Sequence, residues 1–414
     1  MRIAMFTDAY WPRVNGVTVS VDTFSLALIR AGHDVMIVCS QYPVASMADS
    51  ITQSGGERKD LVREKLKVLR VPSYRLFFSK EDRLAKLHKR YWVERELNTF
   101  GPDVIHVNTE FVVGDIGFGY AKKRGIPAVF TFHTIWEDYA ANYFPVIPDF
   151  FLRPFTRRYI KYFLRRSDVV IVPTMQIEEI VKNYRIKKEI RQLPTGIDSA
   201  LFQHSAEELL QFRHLMEEKY PVIRGKRILL FAGRVAKEKN LSFIIRLFPE
   251  LLEKHPDLVL IIAGSGPWQD NYMEEARNTG VEDRCIFTGF LEREDLSLVY
   301  AISHIFVMPS LTETQGLVTI EAMLSGIPVV AIGVMGTIQV MEGDRGGFMV
   351  ENNKAEFKNR VLQLLDDNDL YRSKSKEARL HAQRWTIGSI TERLVEIYRE
   401  STALVRSSSA KRSI

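Results

Sequence analysis

The sequence predicts an α/β protein with two Rossmann-like domains, each a parallel sheet covered by helices on both faces. The first observation is a set of short, nearly continuous apolar runs, which are typical of strands buried on both faces. The second is that helix-like segments separate these runs, as the crossover connections of a parallel sheet require. The third is the length of 414 residues, about two to three times that of a usual domain.

The first domain is predicted at residues 1–198, completed by residues 386–414, and the second at residues 199–385. The segment "LPTGIDSALF", residues 193–202, separates the two sets of apolar runs. The runs of the first set are "RIAMFT", "DVMIVC", "LKVLRV", "DVIHVN", "AVFTFH" and "DVVIVPT". Those of the second set are "RILLFAG", "LVLIIAG", "CIFTGF", "IFVMPS" and "PVVAI". The helical segment "VSVDTFSLALIRAG" ends at Gly32, a residue type that favours the left-handed end of a helix.

Composition is that of an ordinary globular protein, with 46% apolar and 26% charged residues. The only cysteines, Cys39 and Cys285, are too far apart in sequence to suggest a disulfide framework or a zinc site. They favour a reducing compartment, and we expect the protein in the cytoplasm. The N-terminal apolar stretch is too short for a signal peptide, and no run of eighteen apolar residues occurs.

Positive charge is concentrated in the first half of the chain. Residues 1–200 contain 30 Lys+Arg and 22 Asp+Glu, whereas the whole chain has a net charge of +6. The first half therefore carries an excess of eight positive charges and the second half an excess of two negative ones. We expect the first half to face an anionic partner.

Open parallel sheets bind ligands at the carboxyl ends of their strands, so the loops after the strands are the places to look for a site. After the first strand, Gly16 precedes a predicted helix start, where backbone amides and the helix dipole favour a phosphate. A plain turn glycine explains Gly16 equally well.

Two loops of the second domain carry residues suited to a diphosphate. The loop "GRVAKEKN" offers Arg234 and Lys239, two cations that can neutralise charge as a diphosphate leaves. A solvated basic loop is the alternative. The loop "GSGPWQ" offers Gly264 and Gly266 for a close backbone approach, but it lacks the third glycine of a dinucleotide fingerprint, which disfavours a nicotinamide dehydrogenase.

The stretch "ETQGLVTIE" places carboxylates at both ends of a predicted helix start. The helix begins near Gly316 or Leu317, so Glu313 precedes it and Glu321 lies about one turn inside it, about 6 Å along the axis. The free N–H groups of the helix start lie between the two carboxylates. This pattern suits a nucleotide sugar, with the diphosphate on the amides and the carboxylates on hydroxyl groups. A capping acid followed by an exposed helix glutamate is the alternative.

These residues carry a resemblance to a known family. "PSLTETQGLVTIEAMLSGIPVVA" resembles the E-x7-E signature of family-four retaining glycosyltransferases, and "PTGID", "FAGRVAKEKN", "IIAGSGP" and "FTGFL" occur in that family's order. The resemblance covers nearly the whole chain. It implies a GT-B fold, with two Rossmann-like domains facing across a cleft and a C-terminal helix, "TIGSITERLVEIYRES", that crosses back to the first domain.

The resemblance also implies roles for individual residues. Arg234 and Lys239 would bind the diphosphate, Glu313 the donor sugar and Glu321 the ribose. The expected donor-binding residues are Gly16, Gly264, Gly266, Phe290, Gly316, Leu317, Val318 and Glu321. The run "GVMGTIQVMEGDRGGFMV" departs from the form common in the family, so the donor contacts of that loop are left open.

A second stretch bears on the acceptor. "TFHTIWEDYAANY" is similar to the HT-x-x-EDY block of bacterial diacylglycerol glycosyltransferases, and "ETQGL" has the form found in that subgroup. The similarity implies that His133 is an active-site residue hydrogen-bonded to the donor sugar, with Glu137 and Asp138 on the acceptor side. A structural histidine is the alternative for His133, and we interpret His106 as structural.

A basic amphipathic helix is predicted between Asp149 and Asp168, where no acidic residue occurs. Its cations are Arg153, Arg157, Arg158, Lys161, Arg165 and Arg166. The aromatic residues Phe151, Phe155, Tyr159 and Phe163 recur every four residues. The cations Arg153, Arg157, Lys161 and Arg165 do the same with an offset of two positions, which places the two rows on nearly opposite faces of the helix. Such a helix can lie on an anionic membrane surface. Alternatively, the aromatic stripe packs into the core of the first domain.

The resulting expectation is a hexosyltransferase that moves glucose or galactose from a UDP-sugar to the 3-hydroxyl of 1,2-diacylglycerol with retained configuration. It would act at the inner face of the cell membrane, without a cofactor or metal; the single D-x-D, Asp367 to Asp369, lies in a polar segment interpreted as surface. The alternative is a GDP-mannose-dependent mannosyltransferase for a phosphoinositide, another lipid or a glycan, because "PRVNGVTVS" also resembles such enzymes. No nucleic-acid module is recognisable, and a sugar-binding module without catalysis is disfavoured because Arg234, Lys239, Glu313 and His133 are all present.

Overall fold

The computed structural model describes residues 1–13, 16–42, 61–75, 83–133, 149–313 and 315–412. It divides into two compact units, the first formed by Met1–Thr195 with Ile390–Ile414 and the second by Gly196–Ser389. Each unit contains its own sheet, and every strand pair within the two large sheets is parallel. The predicted α/β class with two parallel sheets is therefore confirmed.

The first unit has a seven-stranded sheet in the order β3-β2-β1-β6-β7-β8-β9. Its strands are β1 Arg2–Thr7, β2 Asp34–Ser40, β3 Lys67–Val71, β6 Val104–Val107, β7 Ala128–Thr131, β8 Val169–Val172 and β9 Glu189–Gln192. A separate antiparallel pair is formed by β4 Ser73–Arg75 and β5 Arg83–Ala85. Its helices are α1 Gly16–Arg30, α2 Leu61–Glu64, α3 Arg90–Phe100, α4 Val112–Arg124, α5 Asp149–Arg166 and α6 Met175–Asn183, with a 3-10 turn at Leu87–Lys89.

The second unit has a six-stranded sheet in the order β12-β11-β10-β13-β14-β15. Its strands are β10 Arg227–Ala232, β11 Leu258–Ala263, β12 Cys285–Gly289, β13 Ile305–Met308, β14 Val329–Ile332 and β15 Gly347–Val350. Its helices are α7 Ala206–Lys219, α8 Leu241–Lys254, α9 Gln269–Asn278, α10 Arg293–Ile302, α11 Leu317–Ser325, α12 Met335–Met341, α13 Lys354–Asp366 and α14 Asn368–Ala382. Its 3-10 turns are Ser199–Phe202, Pro221–Ile223, Lys237–Lys239, Glu282–Arg284 and Gln383–Trp385.

The central strands form because short apolar segments are covered on both faces. All four residues of β6 and of β7 are buried, as are all six of β11. The predicted helix stop at Gly32 takes a left-handed φ of 82° directly after α1, where its amide bonds to the Ile29 carbonyl. Local sequence and burial therefore agree in the centre of each sheet.

The strand order of each sheet indicates where a ligand site is expected. In the first sheet β1 lies between β2 and β6, and in the second β10 lies between β11 and β13. The chain changes direction across the sheet at these strands, and ligands of open α/β sheets bind where neighbouring loops part at such a point. The loops after β1 and β6, and those after β10 and β13, are thereby brought together within their own units.

The last helix, α15 Ile387–Arg412, contributes its residues from Ile390 onward to the first unit. Its buried residues include Ile390, Leu394 and Tyr398. The Tyr398 hydroxyl lies 2.7 Å from Nδ1 of His106 in β6, and Nε2 of the same ring lies 2.6 Å from Oγ1 of Thr131. Burial lowers the pKa of His106 to about 3, so the ring is neutral and its one donor and one acceptor are both satisfied. His106 thus has a structural role in holding α15.

Within the second unit, the two segments through which the chain enters and leaves it are paired. The Ile197 amide donates to the Trp385 carbonyl at 2.8 Å, and the Ile387 amide donates to the Ile197 carbonyl at 2.8 Å. A Cβ atom at Gly196 would lie 2.8 Å from Cα of Ile387, so this close pairing requires glycine there.

Replacing Tyr398 with phenylalanine tests the anchoring of α15. The change removes a hydroxyl and leaves Nδ1 of the buried His106 without a partner, so we expect a loss of about 1–3 kcal/mol in the free energy of unfolding of the first unit. Urea denaturation followed by circular dichroism measures it. The matched control is Tyr91→Phe, since Tyr91 is largely exposed in α3. Equal midpoints for Tyr398→Phe, Tyr91→Phe and the unmodified chain would contradict the anchoring role.

Candidate functional site

The loops after β10, β11 and β12 are joined through their backbones. The Gly233 amide donates to the Ala263 carbonyl at 2.9 Å, and the Gly264 amide donates to the Gly289 carbonyl at 2.9 Å. A Cβ atom at Gly264 would lie 2.0 Å from the Gly233 carbonyl oxygen, and one at Gly266 would lie 2.2 Å from that of Val235. Both glycines of "GSGPWQ" are thus required by the packing of one loop on another, whether or not a ligand approaches them.

An ion pair links the loop after β10 to the loop after β13. Nζ of Lys239 contacts Oε1 of Glu313, and both side chains are largely buried, with 19% and 9% of their surfaces exposed. Beside it, Nδ2 of Asn240 donates to the Pro309 carbonyl at 3.1 Å. Lys239 was predicted to bind the diphosphate of the donor and Glu313 its sugar. The two side chains lie in direct contact.

Arg234 lies in the same loop and is exposed. Among the described ranges, it makes no ion pair with a carboxylate, in contrast to Lys239. Its guanidinium is therefore open to an anionic ligand, and a bidentate contact with a phosphate is the geometry that guanidinium favours.

The start of α11 lies next to this ion pair. Gly316 precedes the helix with a left-handed φ of 67°, and the Glu313 carbonyl accepts from the Gly336 amide at 2.6 Å. A Cβ atom at Gly316 would lie 3.2 Å from the Gly336 carbonyl oxygen. The first-turn amides of an α-helix have no acceptor within the helix, so those of Leu317 and Val318 are available to an anion at this end.

Glu321 lies one turn further along α11 and is half-buried. The hydroxyl of the buried Tyr300 donates to Oε2 of Glu321 at 3.1 Å. Burial raises the pKa of the Glu321 carboxyl, and the Tyr300 hydrogen bond opposes part of that effect. With Glu313 buried in its ion pair, neither carboxylate of "ETQGLVTIE" is an exposed surface group, and the alternative of a capping acid plus an exposed helix glutamate is wrong.

Phe290 follows β12 and exposes 72% of its surface. An exposed aromatic ring at the carboxyl end of a strand can stack on a planar ligand group.

The D-x-D sequence lies elsewhere, at the start of α14, where the Asp367 carboxylate accepts from the amides of Asp369 and Leu370 at 3.0 and 2.9 Å. Asp367 is an N-cap.

In the first unit, His133 follows β7 and its Nε2 lies 3.2 Å from Oδ1 of Asn108, which follows β6. Burial lowers the pKa of His133 to about 4, so the imidazole is neutral near neutral pH. Since the amide oxygen can only accept, Nε2 carries the proton and Nδ1 is left as an acceptor. The predicted Glu137 and Asp138 lie outside the described residues.

The sequence patterns did not identify Asp8 as a candidate site residue. It follows β1, is buried, and accepts from the Thr109 hydroxyl at 2.7 Å and from the Val113 amide at 3.2 Å. Burial raises its pKa to about 6. The signal was present, because a polar residue directly after an apolar run in "RIAMFTDAY" marks the carboxyl end of a strand.

Gly16, at the start of α1, has open space where a Cβ atom would be, so packing within the fold does not require a glycine there.

Helix α5 buries part of the aromatic stripe that the sequence predicted to face a membrane. Phe163 is 2% exposed and Tyr159 is half-buried against the first unit's core, whereas Phe155 is 68% exposed. The buried face also contains Thr156, Ile160 and Leu164. The prediction that the whole aromatic stripe faces a membrane is therefore wrong for Tyr159 and Phe163. These two residues follow the alternative prediction, in which the stripe packs into the core of the first domain.

The exposed residues of α5 include Phe150 and Phe155 near its start, Tyr162 further along, and several basic residues. Arg158 and Arg165 are exposed and Lys161 is half-buried. Two of the predicted membrane cations have partners in the first unit instead, since Arg157 donates to the Asn183 carbonyl at 2.6 Å and Arg166 pairs with Asp115. The Arg153 side chain lies outside the described residues. In the described ranges, no helix is both long and apolar enough to cross a bilayer.

Comparison with known proteins places the chain in a family. Residues 14–201 match the family model "Glycosyltransferase Family 4", and residues 213–381 match "Glycosyl transferases group 1". The Alpha-monoglucosyldiacylglycerol synthase of Streptococcus pneumoniae is 32% identical over 336 residues, which are 80% of this chain and 71% of that protein. The chain belongs to glycosyltransferase family 4. The predicted family is confirmed.

Two further relatives of this family 4 chain carry different names. The Alpha-monoglucosyldiacylglycerol synthase of Acholeplasma laidlawii is 27% identical over 387 residues, covering 92% of each chain. The GDP-mannose-dependent alpha-mannosyltransferase of Mycolicibacterium smegmatis is 28% identical over 351 residues, covering 85% of this chain and 84% of the other. In structure, the chain resembles HepE of Anabaena, solved in complex with UDP, with a TM-score of 0.68 at 16% identity and coverage of 96% and 99%. This likeness agrees with the two parallel sheets, and the predicted GT-B fold is confirmed.

The low pKa of His133 predicts a pH dependence of stability. Between pH 6.5 and pH 4 the unfolded chain binds a proton at this position and the folded chain does not, so the free energy of unfolding falls as the pH is lowered. We expect His133→Asn to reduce the loss between pH 7 and pH 5 by about 1–2 kcal/mol. Urea denaturation at both pH values measures it, with the exposed His88→Asn as control. An unchanged loss in His133→Asn would show that the ring binds protons equally in the folded and unfolded chain, and so that its pKa is not lowered.

Proposed function

We propose that this glycosyltransferase moves glucose or galactose from a UDP-sugar to the 3-hydroxyl of 1,2-diacylglycerol, with the anomeric configuration retained. The observation that carries the donor half is the contact between Lys239 and Glu313 beside the free amides that begin α11. The acceptor half is supported by the names of the Streptococcus and Acholeplasma relatives and by the HT-x-x-EDY block that begins at His133.

In this proposal the diphosphate lies on the first-turn amides of α11. The helix dipole and the unpaired N–H groups favour an anion there. Arg234 and Lys239 neutralise the charge that grows on the diphosphate as the sugar departs. Glu313, Gly264 and Gly266 contribute to the donor pocket, and Glu321 accepts hydrogen bonds from the ribose hydroxyls. Two cations and one helix start supply positive charge without a metal, and no cofactor takes part.

Retention is proposed to follow from substitution on one face of the sugar. The acceptor oxygen forms a bond to the anomeric carbon while the bond from that carbon to the diphosphate oxygen breaks. The proton of the acceptor hydroxyl passes to the leaving diphosphate. The neutral His133 hydrogen-bonds to the sugar and fixes its position.

The acceptor lies in a membrane, so the proposal places the protein at the inner face of the cell membrane as a peripheral protein. The exposed start of α5, with Phe150 and Phe155, would enter the lipid interface. Arg158, Lys161 and Arg165 would face anionic head groups, each adding about 1 kcal/mol of attraction. This surface is smaller than the sequence alone indicated, because Phe163 is buried and Tyr159 is half-buried.

A GDP-mannose-dependent alpha-mannosyltransferase with a phosphoinositide, another lipid or a glycan as acceptor is the second candidate. It is favoured by the Mycolicibacterium relative, which is named for that donor and is 28% identical. The residues proposed for the diphosphate serve either nucleotide, so donor choice separates the candidates.

A product assay decides between them. The full-length protein is incubated with radiolabelled UDP-glucose, UDP-galactose or GDP-mannose together with diacylglycerol vesicles, and the lipids are extracted and separated. The proposal predicts label in a monoglycosyl diacylglycerol from a UDP-sugar. Label from GDP-mannose alone supports the second candidate, and turnover with none of the three donors contradicts both.

Loss of either proposed diphosphate cation should slow turnover. We expect Arg234→Ala and Lys239→Ala each to lower kcat by about 10²-fold or more, by analogy with the loss of a group that stabilises developing negative charge. Initial rates at saturating donor measure this. Lys237→Ala is the matched control, because Lys237 lies in the same loop and its ammonium faces the Trp268 ring at 5.4 Å. Rates near normal in both Arg234→Ala and Lys239→Ala would remove their assigned role.

Removing the exposed charges of α5 should weaken membrane binding. We expect the double variant Arg158→Gln/Arg165→Gln to bind vesicles containing anionic phosphatidylglycerol at least about tenfold less well, since each charge contributes about 1 kcal/mol. Flotation at low and high salt measures the binding. The control is Arg372→Gln/Lys376→Gln, two exposed cations of α14 in the second unit. Equal flotation of the two double variants would show that α5 is not the membrane surface.

A further inference from the structure

A cavity of about 430 Å³ lies in the second unit at the end of α11 opposite to its free amides. It is lined by Ser199, Phe202, Gln203, His204, Leu209, Ala301, Leu324, Ser325, Arg379 and Gln383. The nine residues of α11 separate it from Gly316 by about 13 Å, at about 1.5 Å per residue. The cavity is therefore distinct from the start of α11, where the diphosphate is proposed to lie, whereas Glu321, proposed for the ribose, is about one helical turn from it.

Arg379 supplies an uncompensated positive charge at this cavity. Its Nη2 donates to the Ser325 carbonyl at 3.1 Å, and its side chain lies across Gly326, where a Cβ atom would be 1.9 Å from Nε. Arg379 is exposed, and among the described residues it forms no ion pair with a carboxylate. The position of the side chain is thus fixed by the backbone of α11, while further N–H donors remain for a ligand.

Another part of the cavity wall is held in place by His204, whose side chain is 9% exposed. The Ser297 hydroxyl donates to the Glu294 carbonyl at 2.6 Å, so the Ser297 oxygen accepts from Nε2 of His204 at 3.0 Å. Nδ1 of the ring then lies on the side of Glu208, at 3.5 Å from its carboxylate. The loop that carries Ser199 and Gln203 is therefore fixed, with hydroxyl and amide donors at the cavity.

Four of the lining residues are apolar. Leu324 is buried, and Phe202, Leu209 and Ala301 are half-buried. Phe202 packs against the buried Tyr300 with ring centroids 6.1 Å apart, which fixes its orientation. An apolar ligand group seated here would be removed from water on several sides.

We propose that this cavity binds a small organic anion, a carboxylate or a phosphate monoester with a compact apolar body. Arg379 binds the anionic group, Ser199, Gln203 and Gln383 donate hydrogen bonds to it, and Phe202, Leu209 and Leu324 cover the body. The volume is in the lower part of the range of small-molecule sites, about 300–1,000 Å³. The site binds its ligand whether or not the chain transfers a sugar.

Phenyl phosphate is a suitable probe, because it joins a dianion to an aromatic ring of the right size. Isothermal titration of the full-length protein compares it with inorganic phosphate, which lacks the body, and with phenol, which lacks the charge. We expect both to bind at least about tenfold more weakly than phenyl phosphate, since a charged hydrogen bond and a buried ring are each worth about a factor of ten. Inorganic phosphate that binds as tightly as phenyl phosphate would overturn the proposed ligand class.

Substitutions locate the binding. Arg379→Gln should weaken phenyl phosphate binding by about tenfold or more, and Leu209→Trp, which fills the cavity and leaves Arg379 in place, should abolish it. Arg372→Gln, an exposed arginine of the same helix outside the cavity, should change nothing. Unchanged binding in both Arg379→Gln and Leu209→Trp, with thermal unfolding midpoints like that of the unmodified chain, would overturn the site.

The proposed donor site could also attract the probe, and two further titrations separate the sites. Phenyl phosphate should bind equally well to the double variant Arg234→Ala/Lys239→Ala and in the presence of excess UDP. Loss of binding under both conditions would assign the probe to the donor site and contradict the proposal. Failure of sugar transfer in the product assay would leave these binding results unchanged, so the two proposals fail independently.

Discussion

The ion pair between Lys239 and Glu313 is the interaction on which the second unit's site depends. It joins loops that follow neighbouring strands, β10 and β13, and it lies where water is largely excluded. A largely buried carboxylate or ammonium without its partner would be costly, so each side chain fixes the other before a ligand arrives. With Asn240 bonded to Pro309, the contact also holds the loop of Arg234 beside the start of α11. The positive and negative groups of the proposed donor site are thereby positioned together.

Close backbone packing constrains the same edge of the sheet. The loops at Gly233, Gly264 and Gly289 are hydrogen-bonded in series, and Gly264 and Gly266 leave no room for a side chain. Gly316 combines a left-handed φ with contact to Gly336. These glycines stabilise a rigid edge from which Arg234, Glu321 and the amides of α11 project. Rigid positioning of charged groups is what electrostatic stabilisation of a leaving diphosphate requires.

The sequence predicted the elements whose pattern is local and missed those decided by tertiary contacts. All the predicted apolar runs form strands, but β4, β5, β9 and β15 were missed. The antiparallel pair of β4 and β5 has only three residues in each strand, β9 is a half-buried polar edge strand, and β15 is a short run containing Gly347. The spacing of "ETQGLVTIE" placed Glu313 before α11 and Glu321 within it, yet the Lys239–Glu313 pair joins residues 74 positions apart and has no local signal. Helical spacing also identified α5, but which aromatic residues are buried depends on the core against which the helix packs. Asp8 was missed because one polar residue after a strand is a weak signal by itself.

The central claim is that the start of α11, Arg234 and Lys239 together bind the diphosphate of a nucleotide sugar. Calorimetric titration of the full-length protein with UDP and GDP tests it most directly, because it requires neither acceptor nor membrane. The account predicts saturable binding of at least one nucleotide, weakened about tenfold or more by Arg234→Ala, through the loss of a charged hydrogen bond. Absence of binding for both nucleotides, or equal affinity in the presence and absence of the Arg234 side chain, would contradict it.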